Sequence, residues 1–85
     1  MKYGVYSIYD SAAGVFTAPT IDISDASAVR AFQQALENSG SVMSFKPEDF
    51  SLHQIGIFDV ESGLLESVVP SRRLFVGGSG QVEKE

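Results

Sequence analysis

The sequence contains few combinations of residues that could carry out catalysis. His53 is the only histidine and cysteine is absent, so a nucleophilic relay would have to use a serine. The Gly-x-Ser-x-Gly turn that exposes such a serine does not occur in the sequence. Spacing also identifies no acid–base partner for His53. We therefore expect no catalytic residues and a protein that is not an enzyme.

Metal and phosphate sites are poorly supported as well. The carboxylate pairs Asp22 with Asp25 and Glu48 with Asp49 lack the pattern of a calcium-binding loop. Acidic residues at these places are typical of turns and helix caps. Residues 77–80 (Gly-Gly-Ser-Gly) lack the Gly-Lys-Ser/Thr ending of a phosphate-binding loop and are typical of a linker. The sequence predicts neither a metal site nor a cofactor.

Aromatic and basic residues raise the possibility of nucleic-acid binding. Proteins that bind single strands stack bases on aromatic rings and neutralise phosphates with cations. Tyr3, Tyr6 and Tyr9 lie on one predicted strand, and Phe16, Phe50 and Phe58 lie on others. The candidate residues for binding single-stranded DNA are Lys2, Tyr3, Tyr6, Tyr9, Arg30, Arg72 and Arg73.

The charge of the chain opposes this interpretation. Six basic residues face eleven acidic ones, which gives a net charge of −5. With so few cations in one chain, a DNA site would depend on a dimer that pools them. From residue type alone, these tyrosines and phenylalanines are more typical of a core or a subunit interface than of a surface that stacks bases, because aromatic residues contribute large buried areas.

Length and composition bound the architecture. The 85 residues provide for one domain, and 44% of them are hydrophobic, which is too many for a disordered chain. A core of this size without disulfides is weakly stabilised, so we expect a homodimer. The opening residues lack the apolar segment of a secretory signal, and no window is apolar enough to span a membrane. We expect a cytoplasmic protein.

Local patterns predict the elements that would position these side chains. Residues 3–9 alternate as a strand, with the odd positions from Tyr3 to Tyr9 on one face and Tyr6 on the other. A turn that ends at Gly14 leads into a second strand. Apolar residues recur at helical spacing over about residues 24–38, where Ser24 or Asp25 can cap the helix.

A second hairpin is predicted after the helix. It consists of a strand over residues 50–60, a turn at residues 61–63 and a returning strand over residues 64–69 that Pro70 ends. Residues 72–76 are expected to form either a short last strand or a turn. The alternation of the first strand changes phase, so this strand is either buried on both faces or bulged near Gln54–Gly56. The fold class is α+β with the order ββαββ and an antiparallel sheet packed against one helix. The predicted domain covers residues 1–76, and residues 77–85 form a flexible tail.

The connection between the helix and this hairpin is predicted to be a loop. Its apolar side chains Val42, Met43 and Phe45 are expected to pack onto the domain. Pro47 either continues an outward-facing turn or opens a short helical turn with Glu48 and Asp49 in its first positions.

Three segments of the chain resemble a known family. They are residues 5–14 (Val-Tyr-Ser-Ile-Tyr-Asp-Ser-Ala-Ala-Gly), residues 28–38 in the predicted helix, and residues 46–52 (Lys-Pro-Glu-Asp-Phe-Ser-Leu) followed by Gly-Ile-Phe-Asp at 56–59 and Ser-Gly at 62–63. In this order they are similar to the small nonstructural protein of gokushovirus-type microviruses, which are single-stranded DNA phages.

The resemblance implies a phage protein that acts in the host cytoplasm and is absent from the virion. It further implies a DNA-binding accessory role in genome replication or packaging, with single-stranded DNA as the ligand. The family supplies no motif of active residues to transfer. A second hypothesis is an interaction module that binds host or phage replication or packaging proteins through its acidic surface and its tyrosine-rich strand.

Overall fold

An antiparallel sheet and one main helix form the architecture of the computed structural model, which describes residues 1–38, 40 and 42–78. The elements, in chain order, are β1 (Lys2–Asp10), β2 (Val15–Phe16), β3 (Thr20–Asp22), α1 (Asp25–Glu37), α2 (Val42–Phe45), a 3-10 turn (Pro47–Asp49), β4 (Phe50–Asp59) and β5 (Leu65–Val76). The strand order is β2-β1-β4-β5, and β3 also pairs with β1. The predicted fold class, an antiparallel sheet against one helix, is confirmed.

Helix α1 begins where the sequence predicts. The side chain of Ser24 accepts a 3.1 Å hydrogen bond from the backbone N–H of Ser27, so Ser24 is the cap and Asp25 is the first helical residue. The buried face of α1 consists of Ala28, Val29 and Phe32. These residues form one core with the strand residues Tyr6, Phe50, Leu52, Leu74 and Phe75.

A β-bulge in β4 explains the change of phase in its sequence. Tyr6 pairs with Gln54 but Val5 pairs with Gly56, so Ile55 is the extra residue. Gln54 therefore lies on the α1 side of the sheet, while Gly56 lies on the opposite side with Val5. The predicted bulge near Gln54–Gly56 is confirmed.

The prediction that Pro70 ends the returning strand is wrong, because β5 continues through Pro70 to Val76 and includes residues 72–76. Ser67 pairs with Gly56 and Arg72 pairs with Gln54, so the segment from Val68 to Ser71 stands opposite Ile55. Pro70 is tolerated because it lies in this irregular segment, where a missing backbone N–H removes no regular ladder bond.

The connection from α1 to β4 contains more helix than predicted. Met43 of α2 packs against the core, as expected, but Phe45 is 81% exposed, so the expectation that it packs is wrong. The side chain of Val42 lies outside the described residues. Pro47 opens the 3-10 turn, with Glu48 and Asp49 following it.

The described chain continues beyond the predicted domain end at residue 76. Gly77 is buried, and its N–H donates a 2.8 Å hydrogen bond to the carbonyl of Phe50. The remainder of the predicted tail, residues 79–85, lies outside the described residues. Among the helices described, none has the length and apolar character needed to cross a membrane.

Candidate nucleic-acid interface

The side of the sheet that faces away from α1 carries most of the aromatic residues outside the core. Register and alternation place fourteen strand residues there, which we call the open face. They are Tyr3, Val5, Ser7, Tyr9, Phe16, Ile21, Ser51, His53, Gly56, Phe58, Leu65, Ser67, Arg73 and Val76.

Three rings cluster at one end of the open face. The ring centroids of Tyr9 and Phe16 are 4.8 Å apart, and those of Phe16 and His53 are 5.5 Å apart. Tyr9 and His53 meet edge to face at 6.1 Å. Phe16 is 47% exposed, so the cluster presents an aromatic surface to solvent.

At the other end of the open face, Tyr3 of β1 begins a row of aromatic and apolar side chains that crosses three strands. It pairs directly with Phe58 of β4, which in turn pairs with Leu65 of β5. Tyr3 and Phe58 are partly exposed, and Leu65 is 66% exposed. The open face therefore has aromatic residues at both ends.

Hydrogen bonds fix the ring of His53. Its Nε2 lies 2.9 Å from the hydroxyl of Ser51, and its Nδ1 lies 3.1 Å from the hydroxyl of Ser71. Burial and the positive charge of Arg73 lower the pKa of His53 below its usual 6.5. At neutral pH the ring is therefore uncharged and rigidly oriented, and Arg73 is the cation of this face.

The carboxylates on the strands avoid the open face. Asp22 pairs with Gly4, Glu66 pairs with Ile57, and both partners point to the α1 side. Asp10 pairs with Phe50 and Asp59 pairs with Lys2, so these two carboxylates also lie on the α1 side. The register thus separates aromatic residues and Arg73 on one side from the strand carboxylates on the other.

Tyr6 does not share this surface. It is 2% exposed on the α1 side, and its hydroxyl donates a 2.6 Å hydrogen bond to Oδ1 of Asp25. Burial and the adjacent carboxylate raise the pKa of Tyr6 above its ordinary value. Its ring lies in the core and is not available to stack on a base.

Arg72 belongs to the same half-buried network as Tyr6. Its guanidinium donates to Oδ2 of Asp25 at 2.6 Å and, through Nε and one terminal nitrogen, to the side-chain oxygen of Gln54 at 3.0 and 2.7 Å. Burial raises the pKa of Asp25, but the hydrogen bonds from Arg72 and Tyr6 and the charge of Arg72 outweigh this and lower it. The network ties α1 to three strands.

The seven residues predicted from the sequence are therefore divided. Tyr3, Tyr9 and Arg73 share the open face, whereas Tyr6 and Arg72 lie in the network beneath α1. Arg30 is exposed on α1 beside a cavity that Arg72 also lines. Lys2 lies opposite Asp59 at the far end of β1, on the α1 side.

Sequence reasoning did not include Phe16, Phe58 and His53 in the site. The alternation of β1 already separates Tyr6 from Tyr3 and Tyr9, and it was the available signal for excluding Tyr6. The position of Phe58 depends on the bulge at Ile55, and that of Phe16 on a two-residue strand.

Comparison with known protein families gives a match. No curated protein and no solved structure matches the chain. The family model described as "Phage ORF5 protein" matches residues 3–79, which cover all the described helices and strands except Lys2, the first residue of β1. The chain therefore belongs to the phage ORF5 protein family.

Proposed function

We propose that this phage protein binds single-stranded DNA on its open face, as a nonenzymatic accessory factor in genome replication or packaging in the host cytoplasm. The observation that carries the proposal is the exposed aromatic surface with Arg73 and without strand carboxylates. Bases of any sequence can stack on such rings, and the positive charge of Arg73 attracts a phosphate.

A single chain contributes one arginine to the open face, so the proposal includes a homodimer that combines two such faces. Large apolar side chains are exposed at the end of the β4–β5 hairpin, namely Val60, Leu64 and Leu65. Contact between two hairpin ends would bury these residues and leave the Tyr9 end of each open face accessible. Light scattering coupled to size exclusion tests this: Leu64→Ser with Leu65→Ser is expected to convert a dimer to a monomer.

Fluorescence anisotropy with a labelled oligo-dT at low salt tests DNA binding. We expect Tyr9→Leu and Phe16→Leu each to weaken binding about 5- to 150-fold, because a base stacked on an aromatic ring contributes about 1–3 kcal/mol. Tyr6→Phe is the matched control and is expected to leave the affinity unchanged, since Tyr6 lies on the other side of the sheet. A wild-type protein that does not bind the oligonucleotide at low salt would refute the proposal.

The alternative is an interaction module for host or phage replication or packaging proteins. The specific observation in its favour is the concentration of strand carboxylates on the α1 side, a surface suited to a basic protein partner. A pulldown from nuclease-treated host lysate distinguishes the two functions. A partner lost on Glu66→Lys, together with no affinity for DNA, would favour the module.

A further inference from the structure

A cavity of about 310 Å³ opens at the Tyr9 end of the open face. One wall belongs to that face, and the opposite wall is the 3-10 turn that precedes β4. The lining residues include Tyr9, His53 and Arg73 on the first wall and Glu48 and Asp49 on the second. This volume is at the lower end of the range for small-molecule sites, which suits a group the size of a nucleobase.

Backbone hydrogen bonds hold the turn in place. The N–H of Asp49 donates to the carbonyl of Lys46 at 3.1 Å, and its own carbonyl accepts from the N–H and hydroxyl of Ser11 at 2.9 and 3.0 Å. Gly78 lies close to the backbone of Glu48. Glu48 and Asp49 thus line the cavity from a turn whose backbone is fixed before any ligand arrives.

The chemistry of this wall discriminates among bases. A carboxylate offers two acceptor oxygens and no donor. Guanine presents two adjacent donors on its Watson–Crick edge, the ring N1–H and the exocyclic N2–H₂, whereas thymine presents one donor between two acceptors. Unpaired bases are commonly read on this edge while they stack on an aromatic ring.

We propose that the cavity takes one base of a bound single strand and prefers guanine, which would stack on Tyr9 and donate to the carboxylates of Glu48 and Asp49. This inference rests on the proposed DNA binding and adds a base preference to it. Since the carboxylates repel phosphate, the base alone enters, and the phosphodiester stays outside on the side of Arg73.

The test compares labelled oligo-dT strands that carry one central guanine, hypoxanthine, adenine or cytosine. We expect the guanine strand to bind about 5- to 100-fold more tightly than oligo-dT, as for a bidentate contact to a base. Hypoxanthine lacks the exocyclic N2 amine and is expected to lose most of this gain. These comparisons use the wild-type protein and do not depend on the folding of a variant.

Variants of Glu48 and Asp49 then test whether these residues cause the preference for guanine. Glu48→Gln and Asp49→Asn are expected to remove the advantage of guanine and retain oligo-dT binding, whereas Glu37→Gln, an equal charge change at the exposed end of α1, retains both. Equal affinity for all strands would overturn the inference and leave DNA binding intact. Failure to bind any strand would instead refute the proposed function.

Discussion

The hydroxyl of Tyr6 donates a 2.6 Å hydrogen bond to the carboxylate of Asp25, which joins the centre of β1 to the first turn of α1. The other oxygen of Asp25 accepts from Arg72 of β5 at 2.6 Å. One carboxylate therefore links the helix to two strands. This arrangement explains why a tyrosine and an arginine that would suit DNA binding are used within the fold.

Tyr6→Phe is expected to lower the free energy of unfolding by about 1–2 kcal/mol. The change deletes one charge-assisted hydrogen bond and leaves the ring in place in the core. Urea denaturation measures the loss. Tyr3→Phe, which removes a hydroxyl from the partly exposed open face, is the control and is expected to change stability by less than about 0.5 kcal/mol. Equal losses in the two variants would contradict this account.

Stability is expected to fall as the pH drops below about 4 partly because of Asp25. The pKa of this carboxyl is lowered in the folded protein from 3.8, so its contribution is full above 3.8 and is lost as the pH falls through the folded value. The effect is modest because the side chain is 46% exposed. Unfolding of wild type and Asp25→Asn from pH 6 to 2 measures it, and parallel curves would exclude this role.

Much of the fold could be predicted because its signals are local. Helix α1 has a capping serine and an apolar face, and the two hairpin turns have glycines at Gly14 and Gly63 whose φ values are 74° and 75°. The continuation of β5 beyond Pro70 could not be predicted from local signals. It depends on how β5, an edge strand, pairs with Gln54 and Gly56 of β4.

The candidate site was less accessible to sequence reasoning. The adjacent residues Arg72 and Arg73 point to opposite sides of β5, so they cannot act as one basic pair within a chain. The role of Arg72 depends on Asp25, which is 47 positions away. Residue type identified the basic residues, but only the sheet register separates those in the network from those on the open face.

Gly77→Ala is expected to destabilise the protein by about 1–3 kcal/mol. A methyl group there would lie 2.9 Å from the carbonyl carbon of Pro47 and 3.1 Å from the oxygen of Phe50, so the 3-10 turn would have to move. Thermal unfolding measures the loss. Gly40→Ala is the matched control, because its methyl group would lie 3.6 Å from the side chain of Asn38. A stable Gly77→Ala protein would show that residues 77 and 78 do not fix the turn.

His53 is expected to make folding sensitive to mild acid. Burial and Arg73 lower its pKa in the folded state, so its contribution is full above the unfolded value near 6.5 and is lost as the pH falls. The free energy of unfolding should therefore decrease more between pH 7 and 5 in wild type than in His53→Gln. NMR titration of the imidazole gives the pKa directly, and a value above 6.5 would reverse the expected sign.

Arg72 and Arg73 are expected to differ in what their removal changes. Arg73→Gln should weaken binding to oligo-dT and reduce the slope of log affinity against log salt by about 0.7, the value for one phosphate contact on a single strand. Arg72→Gln should instead lower the urea midpoint, because it leaves Asp25 and Gln54 without their donor. Its salt slope should stay that of wild type, since Arg72 lies on the α1 side. If Arg72→Gln also reduced the slope while Arg73→Gln did not, DNA would lie on the α1 side of the sheet.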